Sequence, residues 1–164
     1  MYLNKKYKLY LKEVKLKFIL YFLLLSLIMP LFFGTEILSQ EKTGVIEVIL
    51  TNLKHDKGKI RFALYNTEND FPNKPQFAYR KLEVSIKNKK CVAVFKDIPF
   101  GVYAITVHHD ENSNDKIDTN WLGIPKEGFG CSNDATGFLG PPSFEDAKFN
   151  LNSETKKISI KIRY

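Results

Sequence analysis

Histidine, cysteine and tryptophan are scarce: three, two and one in 164 residues. No serine or cysteine stands in a recognisable nucleophile motif, and three scattered histidines do not assemble into a triad. No cysteine closely follows the apolar amino-terminal run, so the mark of a lipid-attached amino end is missing. No internal repeat, linker or low-complexity tract divides the rest of the chain, and 44% hydrophobic content at this length fits one packed domain. A dense basic helix and a base-stacking module are also missing. The formal charge of +7 falls to +3 once residues 1–40 are set aside, because that stretch holds six lysines against Glu13 and Glu36 and leaves 19 basic and 16 acidic residues beyond it. The excess cation sits in a leader, which argues against nucleic acid as a partner.

What is present begins with that leader. Lys5, Lys6, Lys8, Lys12, Lys15 and Lys17 precede the run Phe18 to Phe33, which gives way to the more polar GTEILSQEK. Charged region, apolar region and small residue, in that order, form a secretory signal. The expected cut lies near Ser39 or Gln40, with Gly34 as a second place for it. An uncleaved anchor fits less well, since the run has sixteen residues, is interrupted by Pro30, and falls short of the roughly 20 a spanning helix needs. The expectation is therefore a signal peptide over 1–40 and one exported domain over 41–164, periplasmic or extracellular, with no membrane partner after cleavage.

Beyond residue 40 the apolar period is two. Ile46, Val48 and Leu50 alternate through Val45 to Thr51, and Ile60, Phe62 and Leu64 through Lys59 to Asn66, with a turn at His55 to Gly58 between them. These two segments are expected to pair as an antiparallel hairpin. Leu82, Val84 and Ile86 repeat the pattern; Cys91 to Phe95 follows the Asn88-Lys89-Lys90 turn; Gly101 to His109 points Tyr103, Ile105 and Val107 coreward; and Ile158, Ile160, Ile162 and Tyr164 alternate at the far end. Each strand carries one oily face, and leaving it wet costs about 25 cal/mol per Å². Stacking two sheets removes that surface, so the expected fold is an all-β, antiparallel two-sheet β-sandwich of about seven strands with one long ordered loop, residues 110 to 147.

The most chemical stretch is His108 to Asp118. Asp110, Asn112 and Asn114 lie at alternate positions, Lys116 can offer a backbone carbonyl, and Asp118 follows eight residues after the first. A hard cation such as calcium takes oxygen ligands at such intervals. Asp115 stands where the EF-hand loop has glycine and Trp121 where its closing glutamate would be, so a site here needs another ligand, Glu127 or Asn120. Four carboxylates against Lys116 leave a local charge of −3, which a cation would relieve. The same Asp and Asn side chains could instead cap the turn by accepting backbone N–H groups, with no ion at all. His109 beside Asp110 offers the one enzyme reading, an acid–base or metal-holding pair, with His109 otherwise orienting Asp110. Adjacent strand residues face opposite ways, however, which keeps His108 and His109 from sharing an ion.

Phe95-Lys96-Asp97-Ile98-Pro99-Phe100-Gly101-Val102-Tyr103-Ala104-Ile105, then His109 to Asp118 and Gly123-Ile124-Pro125-Lys126-Glu127-Gly128, together resemble the bacterial exported proteins grouped as domain-of-unknown-function family 2141. Gly130 to Asn133 and Gly140 to Ala147 extend the likeness, which runs from about Val45 to Tyr164. The F-x-x-I-P-x-G-x-Y part alone is also similar to transthyretin-like (prealbumin-like) and carboxypeptidase-regulatory β-sandwich domains. The resemblance implies a small exported β-sandwich and no set activity. Where the family tends to have phenylalanine, this chain has Cys131, and that departure raises a disulfide between Cys131 and Cys91 beside the alternative of two buried thiols. The function expected is a non-enzymatic binding or structural module of the cell envelope, calcium-stabilised through the acidic loop. Its partner would be an envelope protein, a peptide or a carbohydrate met through Trp121 and Phe129, or those aromatics would instead pin the long loop over one end.

Overall fold

In a computed structural model the described residues are 5–32, 41–122, 125–138 and 140–164. They fall into two compact units, 1–40 and 41–164. In the first, the lysine-rich segment and most of the apolar run form one helix, α1 (Lys5–Phe32). Among the described residues no helix is long and apolar enough to cross a membrane. Gly34, Ser39 and Gln40, the expected places for cleavage, lie outside the described residues.

The second unit contains β1 (Thr43–Thr51), β2 (Lys59–Tyr65), β3 (Arg80–Ser85), β4 (Cys91–Pro99), β5 (Gly101–Asp110), β6 (Gly128–Cys131), the short helix α2 (Phe144–Ala147), β7 (Phe149–Leu151) and β8 (Thr155–Lys161). They make two sheets, one ordered β4-β1-β8 and one ordered β3-β2-β5-β6, with β7 on β5 beside Gly101–Tyr103. The all-β two-sheet sandwich is therefore what the alternation required. Ile46, Val48, Leu50, Ala93, Phe95 and Ile160 from one sheet meet Ile60, Phe62, Leu64, Ile105 and Val107 from the other in a single core cluster. A second, smaller cluster covers the outer face of the larger sheet, where Ala104, Cys131 and Ala147 pack with Phe71 and Phe144.

Three features depart from the sequence reading. The Val45–Thr51 and Lys59–Asn66 segments do not form a hairpin; β1 and β2 belong to opposite sheets. Both oily faces are satisfied across the core rather than side by side, and the alternation alone does not distinguish the two arrangements. Residues 52–58 carry the crossing: Asn52, at φ 65, donates to the Ile162 carbonyl at 2.7 Å, and Leu53 is buried. Secondly, β8 runs parallel to β1, Val45 opposite Thr155 through Thr51 opposite Lys161, so one pair in the sandwich is not antiparallel. Thirdly, eight strands are present among the described residues, the additional ones being the short β6 and β7 inside stretches too rich in glycine or too brief to show a period.

Two close approaches fix the ends of β5 and β6. Gly58 has φ +70, and a Cβ there would lie 2.0 Å from the Asp110 carbonyl oxygen, so only glycine lets the 52–58 crossing lie against the end of β5. On the opposite flank β6 presents Gly128 and Gly130 to Ile162, Tyr164 and Ile160. That lets Phe129 and Arg163 exchange two backbone hydrogen bonds of 2.8 Å and join the two sheets along one side.

Candidate functional site

β5 ends at Asp110, and the chain then leaves the sheet for residues 111–127 before returning as β6. Alternation along β5 sends His109 into the core and His108 and Asp110 outward. The histidine pair thus separates as its spacing requires. His109 is fully buried; its Nε2 lies 2.8 Å from the Lys57 carbonyl oxygen and so carries a proton to donate. Its Nδ1 is left to accept from the Tyr164 hydroxyl at 2.8 Å, and that hydroxyl accepts from Lys54 N at 3.2 Å. Burial pushes the Tyr164 phenol above its ordinary value. His109 therefore does not orient Asp110, and the acid–base or metal-holding pair His109 and Asp110 is not formed, because the two side chains leave opposite faces of the strand and take different partners.

Asp110 is also fully buried, and its partners define the loop. Oδ1 accepts Asn114 N at 3.1 Å and Oδ2 accepts Asp115 N at 3.0 Å. Asn112 Oδ1 accepts Asn114 N at 3.0 Å, and Asn114 Oδ1 accepts Lys116 N at 2.8 Å. The side-chain amides of Asn112 and Asn114 both donate to the Asp118 carboxylate, at 2.6 and 3.2 Å. Asp115 has φ 67, the left-handed conformation for which an EF-hand loop uses glycine at that place. The structure therefore brings Asp110, Asn112, Asn114, Lys116 and Asp118 into one curl. All of these hydrogen bonds are also what a capped turn makes.

Glu127 binds the backbone at both ends of the curl. It is 5% exposed; Oε1 accepts Glu111 N at 3.0 Å, Oε2 accepts Asp118 N at 3.1 Å, and His108 Nε2 stands 2.8 Å from Oε2. Glu127 thus ties both ends of the loop to the outer face of β5. Asn120 lies in the stretch beyond Asp118, where its Oδ1 accepts Leu122 N at 2.9 Å.

The charge of the loop is met in part by β2, a contribution invisible in the loop's own sequence. Arg61 pairs with the Asp115 carboxylate, and its Nε lies 3.1 Å from Asp110 Oδ2, close enough to attract although the N–H is not aimed at that oxygen. Lys59 reaches Glu83 at 2.9 Å and Asp115 at 3.4 Å. The hydrogen bond to Glu83 and then that to Asp115, against some lost hydration, raise the Lys59 ammonium above its ordinary value. Lost hydration opposes ionisation of Asp115, but Lys59 and Arg61 outweigh it and hold the carboxyl below the usual range. His55 Nε2 meets Glu111 Oε2 at 2.8 Å, and its ring lies 5.0 Å from that of His109. The alternation in β2 marked Lys59 and Arg61 as outward, yet only strand pairing reveals that they lie opposite Asp110 and His108.

The aromatic pair separates. Phe129 sits half-buried in β6 opposite His108, whereas Trp121 stands 90% exposed in the excursion beyond Asp118. No ring contact joins them among the described residues. Phe144 does pin a loop, packing edge-on to Phe71 at 5.7 Å. Cys91 and Cys131 are free, buried thiols; Cys91 faces the main core opposite Leu50, and Cys131 belongs to the smaller cluster opposite Thr106. The structure does not join them, and burial pushes the two thiols up to about 11 and about 12.

The residues after Cys131 have a structural task that the sequence reading did not give them. Ser132 Oγ accepts Ile105 N at 2.9 Å and donates to the Ala147 carbonyl at 2.5 Å; Asn133 donates to the Lys148 carbonyl at 2.8 Å; and Asp134 accepts Lys161 N at 2.7 Å. Three consecutive side chains thus bind β5, the end of α2 and β8 together. Ser143 caps α2 by accepting Asp146 N.

Among known proteins, the family described as "Uncharacterized protein conserved in bacteria (DUF2141)" matches residues 48–159. That span contains the curl, Glu127, β6 and the Ser132-Asn133-Asp134 staple. No curated protein and no solved structure matches the chain.

Proposed function

The chain belongs to the DUF2141 family, and we propose that it is an exported, non-enzymatic β-sandwich module in which calcium orders the Asp110–Asp118 loop at one end. The observation that carries the reading is the convergence of Asn112 and Asn114 on Asp118, with both amide NH₂ groups directed at one carboxylate. Each amide oxygen already accepts one backbone N–H, from Asn114 and from Lys116, and keeps its second lone pair for a cation that displaces the NH₂ groups from Asp118. Asn112, Asn114, Asp118, the second lone pairs of Asp110 and the Lys116 carbonyl then form the all-oxygen set a hard cation prefers. Glu127 is occupied by two N–H groups and His108, so its part is to hold the loop ends rather than the ion. Export rests on the lysine-then-apolar order of the leader, and the binding role on the outward Trp121, which would meet a peptide, carbohydrate or envelope protein.

Thermal melting with and without calcium tests this. At a hundredfold excess over the dissociation constant a bound ion adds about 2.7 kcal/mol, a rise of roughly 8 °C for a domain of this size. Asp118→Asn should abolish the calcium-dependent rise while leaving the calcium-free protein folded. A melting temperature indifferent to calcium, with no ion retained on equilibrium dialysis, would refute the site.

A further inference from the structure

We propose that one end of the sandwich binds a linear phosphate polymer along two lysine-bearing turns that Asp56 holds side by side. The first turn is the 52–58 crossing, with Lys54 and Lys57; the second joins β3 to β4 and carries Lys87, Lys89 and Lys90. Asp56 Oδ2 accepts Asn88 N at 2.8 Å and Oδ1 accepts Lys89 N at 2.6 Å, so a carboxylate of the first turn is seated on the backbone of the second. The second turn is itself closed, because Lys87 and Lys90 exchange two backbone hydrogen bonds of 3.0 Å. Between them Asn88 and Lys89 have φ 53 and 55, the left-handed pair of a tight hairpin turn, where glycine is the least strained residue. This chain places a lysine there instead.

The same contact gathers charge that the sequence leaves scattered, since Asp56 and Asn88 are 32 positions apart. All five lysines are exposed, and none makes an ion pair among the described residues. Two carboxylates stand beside them: Asp56, held by the two N–H groups, and Glu111, held by His55 at 2.8 Å. This end therefore carries +3, and fourteen basic and fourteen acidic residues balance over the rest of 41–164. The acidic curl nearby is met by its own cations, Asp110 by Arg61 and Asp115 by Arg61 and Lys59. The whole charge excess of the sandwich thus lies on one strip, which attracts anions over a distance.

The make-up of the strip chooses the anion. Lysines without arginine act as point charges, which suits phosphate rather than the planar pairing of a guanidinium with a carboxylate. Two turns side by side present a strip that an extended chain covers and a single small anion does not. Leu53 and Ile86, the apolar side chains of the two turns, are buried, so they are not free to enter a lipid layer. The Tyr164 ring is taken up by Lys54, 4.3 Å from its centre, and by His55 and His109, so it offers no platform to a nucleobase. The inference goes beyond the calcium reading and rests on other residues.

Six further lysines lie in the leader, so the test uses the full chain with Lys5, Lys6, Lys8, Lys12, Lys15 and Lys17 all changed to glutamine. Binding of end-labelled inorganic polyphosphate is followed by fluorescence anisotropy from about 50 to about 200 mM salt. Five phosphate contacts, at about 0.7 each, give a log–log slope of about −3.5, a loss of about a hundredfold across that range. Lys57→Gln, Lys87→Gln and Lys89→Gln together should flatten the slope to about −1.4, and Lys57→Gln or Lys89→Gln alone should flatten it by about 0.7. Removing the same charge elsewhere on the sandwich, as Lys42→Gln, Lys81→Gln and Lys96→Gln together, should leave the slope unchanged. All of these side chains in the sandwich are exposed, so the variants keep the parent's circular dichroism. Absence of binding at low salt, a triple variant as salt-sensitive as its parent, or a control that flattens with it overturns the proposal. So does tighter binding to poly-glutamate, single-stranded DNA or phosphatidylglycerol vesicles, each of which would assign the strip to another anion. Failure of the calcium site shows instead as calcium-insensitive melting, so the two readings fail separately.

Discussion

Replacing Glu127 with alanine should loosen one end of the sandwich more than any other single change in the excursion. The carboxylate is 5% exposed and takes hydrogen bonds from Glu111 N and Asp118 N at 3.0 and 3.1 Å, with His108 at 2.8 Å. A hydrogen bond to a charged group contributes roughly 1.5–3 kcal/mol net. Glu111 and Asp118 are themselves partly open to water, which replaces some of what is lost. The sum is therefore about 4 kcal/mol rather than the upper limit, or roughly 10–15 °C in melting temperature for a domain of this size. Glu127→Gln keeps one acceptor oxygen but turns an NH₂ toward an N–H donor, so it should cost about half as much. Thermal melts of both variants check the magnitude. Amide hydrogen exchange checks the place: Glu111 and Asp118 should lose protection beyond the global change, while Ile105 and Val107 should not. An alanine variant that melts within about 2 °C of wild type would refute the account of Glu127 as the anchor of the loop.

Arg61→Ala should destabilise by about 2 kcal/mol, below the 3–5 typical of a fully buried pair because the guanidinium is partly in water; urea melts would show it, and a neutral outcome would mean that the N–H groups of Asn114 and Asp115 suffice for Asp110. Gly58→Ala combines a left-handed φ with a Cβ 2.0 Å from the Asp110 carbonyl oxygen, so it should cost at least about 2 kcal/mol, seen as a lowered melting temperature; an unchanged one would mean that the 52–58 crossing yields. Cys91 and Cys131 should resist thiol reagents at neutral pH in the folded protein and titrate as two free thiols in denaturant. Because burial raises the Cys91 thiol from 9.0 to about 11, its contribution is complete below the unfolded value and is lost as pH rises from 9 toward 11. Stability measured across that window should fall, and a flat profile would contradict the burial.

Whatever depended on one segment's own pattern was legible in the sequence. Ile46, Val48 and Leu50 announced a one-sided strand, and Asp110, Asn112 and Asn114 announced a curl, because period two and oxygen spacing are local properties. Whatever depended on pairing was hidden. Arg61 and Asp110 are 49 positions apart, and no pattern in either segment says that β2 lies against β5. β6 was missed because Gly128 and Gly130 read as loop, yet their lack of side chains is what admits Ile160 and Tyr164 to its face. His109 was misjudged for the same reason: its neighbour in sequence was visible, whereas Tyr164 and Lys57, its neighbours in space, were not.

The parallel pairing of β1 with β8 sets the order in which the architecture can be completed. Val45 must wait for Thr155, and Ile160 fills the core beside Leu50, so the first strand made has one of its two partners, β8, delivered among the last although β4 comes earlier. A chain handled from its amino end, by a ribosome or by a translocating channel, remains an unfinished sandwich until residues 155–161 arrive. Threading through a narrow passage needs slack polypeptide, and this topology withholds closure for that long.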